Sequence, residues 1–226
     1  MRIFVLDISM DRGAVGIIDS NEVVSEFHFE IKRGSTNTAH FYIKKAFANC
    51  GITPREVDLI GVVIGPGSFT GLRVALSAAK GLAHPFSTSL TGIISTEAVA
   101  EMVEEENVFI VSVIDARRLQ FYRGVYMREN GELSIKSEPA AINEERIFDG
   151  IPAGSIITGP GLKKIEVKHL NPYKMAPEDK WYPSVAVLSK IAEKQYSCGD
   201  TLDLADSVPY YIRRPDAKPN PPLGKG

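Results

Sequence analysis

Three short β-like runs, Ile3–Ile8, Ala14–Asp19 and Val23–Ile31, open the sequence, and three more, Val108–Asp115, Gln120–Met127 and Glu132–Ser137, begin again near its midpoint. Spacings this short permit tight antiparallel connections. After the first set, Asn37–Cys50 carries apolar residues at 39, 42, 43, 46, 47 and 50, a helical stripe closed by Gly51. Val57–Ile64 then reads as a buried strand, Phe69–Ala83 as a helix stopped by Pro85, Ser89–Ile94 as a strand, and Thr96–Glu105 as a helix capped by Ser95. The second set is followed by a short helix over Asn143–Asp149, a strand over Ser155–Thr158 and a helix over Ser184–Tyr196. No repeat of residues is visible between the halves, so the duplication lies in the order of elements.

That order predicts an α/β protein of the duplicated actin and sugar-kinase (ASKHA) type, two βββαβα-type subdomains with a cleft between them. Residues 1–105 form the first subdomain, 106–214 the second, and 215–226 an extended or disordered tail, since five prolines fall within Pro209–Gly226. In this fold the cleft commonly holds a nucleotide, but a fold alone does not establish an activity. With 26 Lys+Arg against 28 Asp+Glu the net charge is −2, so no global positive field exists, and any role on RNA needs a partner or a local patch. The two cysteines, Cys50 and Cys198, form no CxxC pair, which argues against a disulfide framework or thiolate metal site and fits a reducing cytoplasm. The apolar run Ile3–Leu6 is too short for a signal peptide, and Leu59–Leu72 is too short and too broken by Pro66 to span a bilayer. No membrane association is expected.

The densest local signal is GPGSFTGLR, Gly65–Arg73, between a buried strand and a helix. A dinucleotide fingerprint needs glycine at Thr70, a P-loop needs lysine where Leu72 follows Gly71, and a nucleophile elbow needs glycine at Pro66. What remains is a glycine-rich turn with Ser68 as helix cap, serving either as a plain strand-to-helix connection or as a site for an anion or a partner's carboxylate. The helix that follows places Arg73, Ser77, Lys80 and His84 on one narrow polar stripe and fills the rest with apolar residues. Gly71, Ala75 and Ala79 add a flat ridge fit for close helix approach. Two readings stay open: a helix buried within the chain, or a subunit interface shared with the helix that bears Phe41.

Asp7-Ile8-Ser9 resembles the first phosphate loop of the doubled fold, and Asp115-Ala116-Arg117 stands in the equivalent place of the second half. Ala116 and Arg117 occupy positions where nucleotide hydrolysis usually wants glycine, so Arg117 and Arg118 either hold an anion or are a solvated pair. Gly159-Pro160-Gly161 reads as a turn or as the remnant of an adenosine-binding loop. His28, His40, His84 and His169 show no HxxxH spacing, and Ser35, Thr36 and Thr38 have no histidine and acid at helical spacing.

LDISMD, VVIGPGSFTGLRVALSAAKGLA, GIISTEAVA, VIDARRLQFYRGVY and VPYYIRR together resemble the TsaB family, also called YeaZ. The resemblance is dense over residues 1–126 and thin from 127 to 205. It implies a bacterial cytoplasmic protein needed to make threonylcarbamoyladenosine beside the anticodon of tRNAs reading ANN codons, without doing the chemistry itself. It further implies pairing with the catalytic subunit TsaD, a homodimer formed by largely the same helices, the ATPase TsaE as a third member, and tRNA engaged only through the complex. ATP or ADP and metal then belong to the partner subunits, with no cofactor of this chain's own. Together with the apolar helix, this points to Phe41, Lys45, Gly71, Leu72, Arg73, Ala75, Leu76 and Ala79 as the partner interface. Asp7, Ser9, Gly65, Gly67 and Ser68 are left as a vestigial phosphate contact, weakened by Ser9-Met10 where the family has small residues. A glycoprotease-like hydrolase, or a small-molecule kinase of the same fold, is the competing expectation.

Overall fold

A computed structural model describes residues 1–31, 37–166 and 171–213. Ser35, Thr36, His169, Arg214 and the tail 215–226 lie outside the described residues. Strands β1 (Arg2–Asp7), β2 (Arg12–Asp19), β3 (Glu22–Glu30), β4 (Leu59–Gly65) and β5 (Ser89–Ile94) make one sheet in the order β3-β2-β1-β4-β5. Strands β6 (Val108–Arg117), β7 (Gln120–Glu129), β8 (Glu132–Asn143), β9 (Ile156–Thr158) and β10 (Lys174–Met175) make the other, in the order β10-β9-β6-β7-β8. Reversed, the second order repeats the first, with an antiparallel hairpin on one side of the central strand and a parallel neighbour on the other. The duplication read from element order is therefore a duplication of topology, the doubled ASKHA arrangement.

The helices depart from strict repetition. In the first half, α1 (Asn37–Cys50) and α2 (Phe69–Ala83) cover one face of the sheet, where Phe4, Leu6, Val62 and Leu90 meet Ile43, Ala46, Leu76 and Ala79. The other face, carrying Ile3, Val5, Leu59 and Val63, is covered by α4 (Val185–Ser197), which comes from the far end of the chain and packs Val185, Leu188, Ile191 and Ala192 on it. Strand β1 is thus buried on both faces, which is why Ile3–Leu6 is unbroken apolar sequence. Helix α3 (Ser95–Glu101) crosses the other way and delivers Val99 and Ala100 to the core of the second sheet.

Three expected elements differ. Helix α3 ends at Glu101, short of the expected Glu105, and its cap position is Ile94; the Ser95 hydroxyl instead donates to the Pro66 carbonyl, tying the helix to the glycine turn. Strand β8 runs on to Asn143, so the expected helix over Asn143–Asp149 shrinks to one 3-10 turn, Glu144–Arg146. A second 3-10 turn, Pro160–Lys164, follows β9 where the sequence predicts no helix.

Candidate functional site

The turn after β1 and the turn after β4 are packed on one another. The Ser68 amide donates to the Ser9 carbonyl at 2.7 Å, and the Ser68 hydroxyl accepts from the Gly71 amide at 3.3 Å, capping α2. A methyl group on Gly67 would collide with the Ser9 carbonyl, and one on Gly71 with the Ile8 carbonyl. Gly65 lies equally close to the Tyr210 carbonyl. The glycines therefore admit this protein's own backbone: of the residues expected to touch phosphate, Gly65 and Gly67 lie against the Tyr210 and Ser9 carbonyls, and the Ser9 and Ser68 amides are bonded to Asp7 and Ser9.

Asp7 is buried, and one of its oxygens accepts the Ser9 amide at 2.8 Å. Burial pushes its carboxyl from an ordinary 3.8 up to about 6, against the opposing pull of Ser9 and the charge of His28. Below about pH 4 the group is neutral in folded and unfolded chains alike. Between about 4 and 6 the unfolded chain ionises first, so the fold loses stability as pH rises, by roughly 3 kcal/mol once above 6. Asp7→Asn, neutral throughout, should therefore gain on the parent protein by about that amount between pH 4 and 7.5. Urea unfolding of both proteins at the two pH values measures it, and a constant difference would contradict the buried carboxylate.

The β1–β2 turn of the first half packs into the second half. Met10, at the tip of the β1–β2 turn, is buried in the core of the second half beside Ile114 and Tyr182. Next to it the Tyr182 hydroxyl donates to Asp11 Oδ1 at 2.7 Å and accepts from Lys163 Nζ at 2.9 Å, while Lys163 Nζ lies 3.6 Å from Asp11 Oδ2. Burial pushes the Tyr182 phenol up to about 12, so it stays a donor, and its hydrogen bond to Lys163 holds the ammonium above its usual range. In the sequence Met10 stands out only as a departure from small residues; in the fold its side chain is part of the second half's core. Gly159 and Gly161 sit against the Val113 backbone, the counterpart of the Gly67 and Gly71 contacts. The β6–β7 turn behaves differently: Arg117, Arg118 and Leu119 are exposed.

On the outer side of the first half, α1 and α2 flank a groove of about 450 Å³ lined by His40, Ile43, Arg73, Val74, Ala78 and Leu82 among others. Phe41 and Lys45, on α1, are exposed, and Lys45 Nζ stands 5.2 Å from the Phe41 ring. Leu72, Ala75, Leu76 and Ala79 do not face outward: each is at most 4% exposed and packs inward. They belong to the chain's own core, and the small-residue ridge that includes Gly71 serves close approach to the sheet and to the β1 turn. Thr70, Arg73, Ser77 and Gly81 are exposed, while Val74, Ala78 and Leu82 are half-buried against the core and line the groove. A strap of residues 202–213 runs along the other flank of α2. Lys80 Nζ donates to the Ser207 carbonyl at 2.8 Å, and Arg73 stacks on Phe69 at 3.9 Å while its Nε donates to the Tyr211 hydroxyl at 2.9 Å. Sequence reasoning missed this strap because nothing local marks which helix an extended segment will follow.

Fold and site together define a class: a doubled α/β domain of the ASKHA type whose β1–β2 turn is packed into its second half and whose first half leaves an apolar groove outside. A family model described as "TsaD: tRNA N6-adenosine threonylcarbamoyltransferase" matches residues 30–208. The chain is 29% identical over 133 residues to the tRNA threonylcarbamoyladenosine biosynthesis protein TsaB of Bacillus subtilis, a match covering 59% of this chain and 58% of that protein. It is 26% identical over 228 residues to the TsaB protein of Haemophilus influenzae, covering 94% of each. YeaZ from Pseudomonas aeruginosa superposes with a TM-score of 0.79 over 93% of this chain and 99% of that one, at 21% identity, which shows a shared fold. The chain belongs to the family that the model describes, in its TsaB (YeaZ) branch.

Proposed function

We propose that this chain is the non-catalytic partner of a TsaD-type transferase, required to place the threonylcarbamoyl group on the adenosine beside the anticodon of tRNAs reading ANN codons. What supports this reading is the junction of the two halves, where Met10 is buried in the core of the second half and Asp11, Tyr182 and Lys163 are bonded to one another, leaving these side chains to structural contacts. The names of the TsaB relatives supply the pathway. The groove between α1 and α2, with Phe41 and Lys45 at its margin, supplies a docking face for the catalytic subunit and, in its absence, for a second copy of this chain. The TsaE ATPase joins that assembly, nucleotide and metal belong to the partner subunits, and the complex works in the cytoplasm.

Depletion of the chain in its host should remove threonylcarbamoyladenosine from ANN-reading tRNAs, and tagged protein should capture the transferase. Nucleoside analysis of bulk tRNA and mass identification of the captured proteins measure both. Unchanged levels of the modified base would overturn the proposal.

A further inference from the structure

We propose that the junction of the two halves carries a phosphate-binding surface for RNA, formed by this chain itself. The choice of RNA rests on the function proposed above; the surface rests on the geometry. Cations from four separate segments meet there: Arg12 after the first turn, Arg117 and Arg118 on the β6–β7 turn, Lys163 and Lys164 on the Pro160–Lys164 turn, and Arg213 on the strap. Their proximity is fixed by contacts. Arg12 lies 5.6 Å from the Tyr182 ring, Lys163 donates to the Tyr182 hydroxyl, Lys164 Nζ donates to Asp115 Oδ2 at 2.6 Å, and Arg213 donates to Gln120 Oε1 at 2.9 Å and to the Ala116 carbonyl at 3.3 Å.

Among the described residues, the carboxylates inside this group are Asp11 and Asp115, and the lysines already neutralise them. Glu30, across the strand pair from Arg12, stands at the margin, and Glu144 and Glu166, like Arg118 and Arg213, each have an interaction partner. Among the described residues Arg12 and Arg117 make no ion pair, and both are exposed. Among the described residues the cations of this surface outnumber the carboxylates around them, so a chain of net charge −2 carries a locally basic patch here.

The backbone of the β6–β7 turn is a second observation. Arg117 pairs with Gln120, so Arg118 and Leu119 form a two-residue hairpin loop. Arg117, Arg118 and Leu119 have φ of 62°, 52° and 61°, the left-handed region that such loops usually give to Asn-Gly. Each non-glycine residue held there costs on the order of 1–2 kcal/mol. No burial compensates for it, because Leu119 is 87% exposed. In the first half the equivalent turn folds inward and buries Met10; here it holds two arginines out, at a cost to stability.

Cations spread over separate segments suit successive phosphates of a strand better than one carboxylate of a protein partner.

The test uses the chain alone and its complex with the TsaD-type subunit, and follows the anisotropy of a fluorescein-labelled, unmodified tRNA transcript over a salt series. Arg117→Glu with Arg118→Glu should weaken tRNA binding by roughly tenfold or more and reduce the slope of log affinity against log salt by about 1 to 2, with melting temperature and capture of the transferase unchanged. Lys136→Glu, on the distant edge strand β8, should change neither. Arg118→Asn with Leu119→Gly relieves the left-handed loop, so it should melt higher and still bind tRNA more weakly. Unaltered affinity and salt slope in both loop variants would overturn the proposal, and would assign the surface to protein docking if capture of a partner were lost instead. Should no complex form with the parent chain, the function proposed above fails, and the same variants measured on the chain alone still decide this one.

Discussion

Leu76→Arg should unfold the protein rather than leave a folded chain that has lost its partner. Leu76 is 4% exposed, among Ala75, Ala79 and the sheet residues Leu6, Val62 and Leu90. Removing a buried leucine side chain costs about 2–5 kcal/mol, and a guanidinium left there without a carboxylate costs several more. The sum approaches the whole stability of a typical domain, about 5–15 kcal/mol. Loss of the cooperative thermal transition, with the chain recovered in aggregates, is the expected result. A folded, soluble variant that merely fails to pair would restore an outward-facing Leu76 and contradict the packing of α2.

Ala78→Arg should do the opposite. Ala78 lines the outer groove beside Val74, Leu82, His40 and Ile43, and it is not part of the buried face of α2. Arginine ranks close behind alanine in helix propensity, and in the free chain its stem lies along the groove while its charge reaches water. A partner seated in the groove must desolvate that charge, which typically costs about 3 kcal/mol, a loss of roughly a hundredfold in affinity. Titration calorimetry with the transferase, alongside a melting curve, separates the effects. Unchanged affinity would place the docking face elsewhere on the molecule.

The contrast between these two positions shows what the sequence carried. The bounds of α2 were legible because Ser68 caps it and Pro85 stops it, and the observed helix is the expected Phe69–Ala83. Its polar stripe was legible too, since Arg73 and Ser77 are exposed as their spacing required. The use of its small residues was not, because Gly71 and Ala75 look alike whether another helix or the chain's own β1 turn approaches them. Ser95 showed the same ambiguity, its hydroxyl going to the Pro66 carbonyl, 29 residues away, in place of the expected local cap. The packing of the β1–β2 turn into the second half lay beyond local reasoning, since it brings together residues as far apart as Asp11 and Tyr182, 171 positions.

The return of α4 to the first sheet governs how the chain comes to fold as it is made. When the first five strands have left the ribosome, Ile3, Val5, Leu59 and Val63 present an apolar face that α3 meets only with Ala98, and the rest of it waits while more than eighty further residues are added. Only when Val185–Ser197 emerges can that face be closed. The two halves repeat each other in topology, yet neither is finished before the other. The nascent chain depends on its last helix, and any interruption of synthesis before that point leaves an open hydrophobic sheet for chaperones to shield.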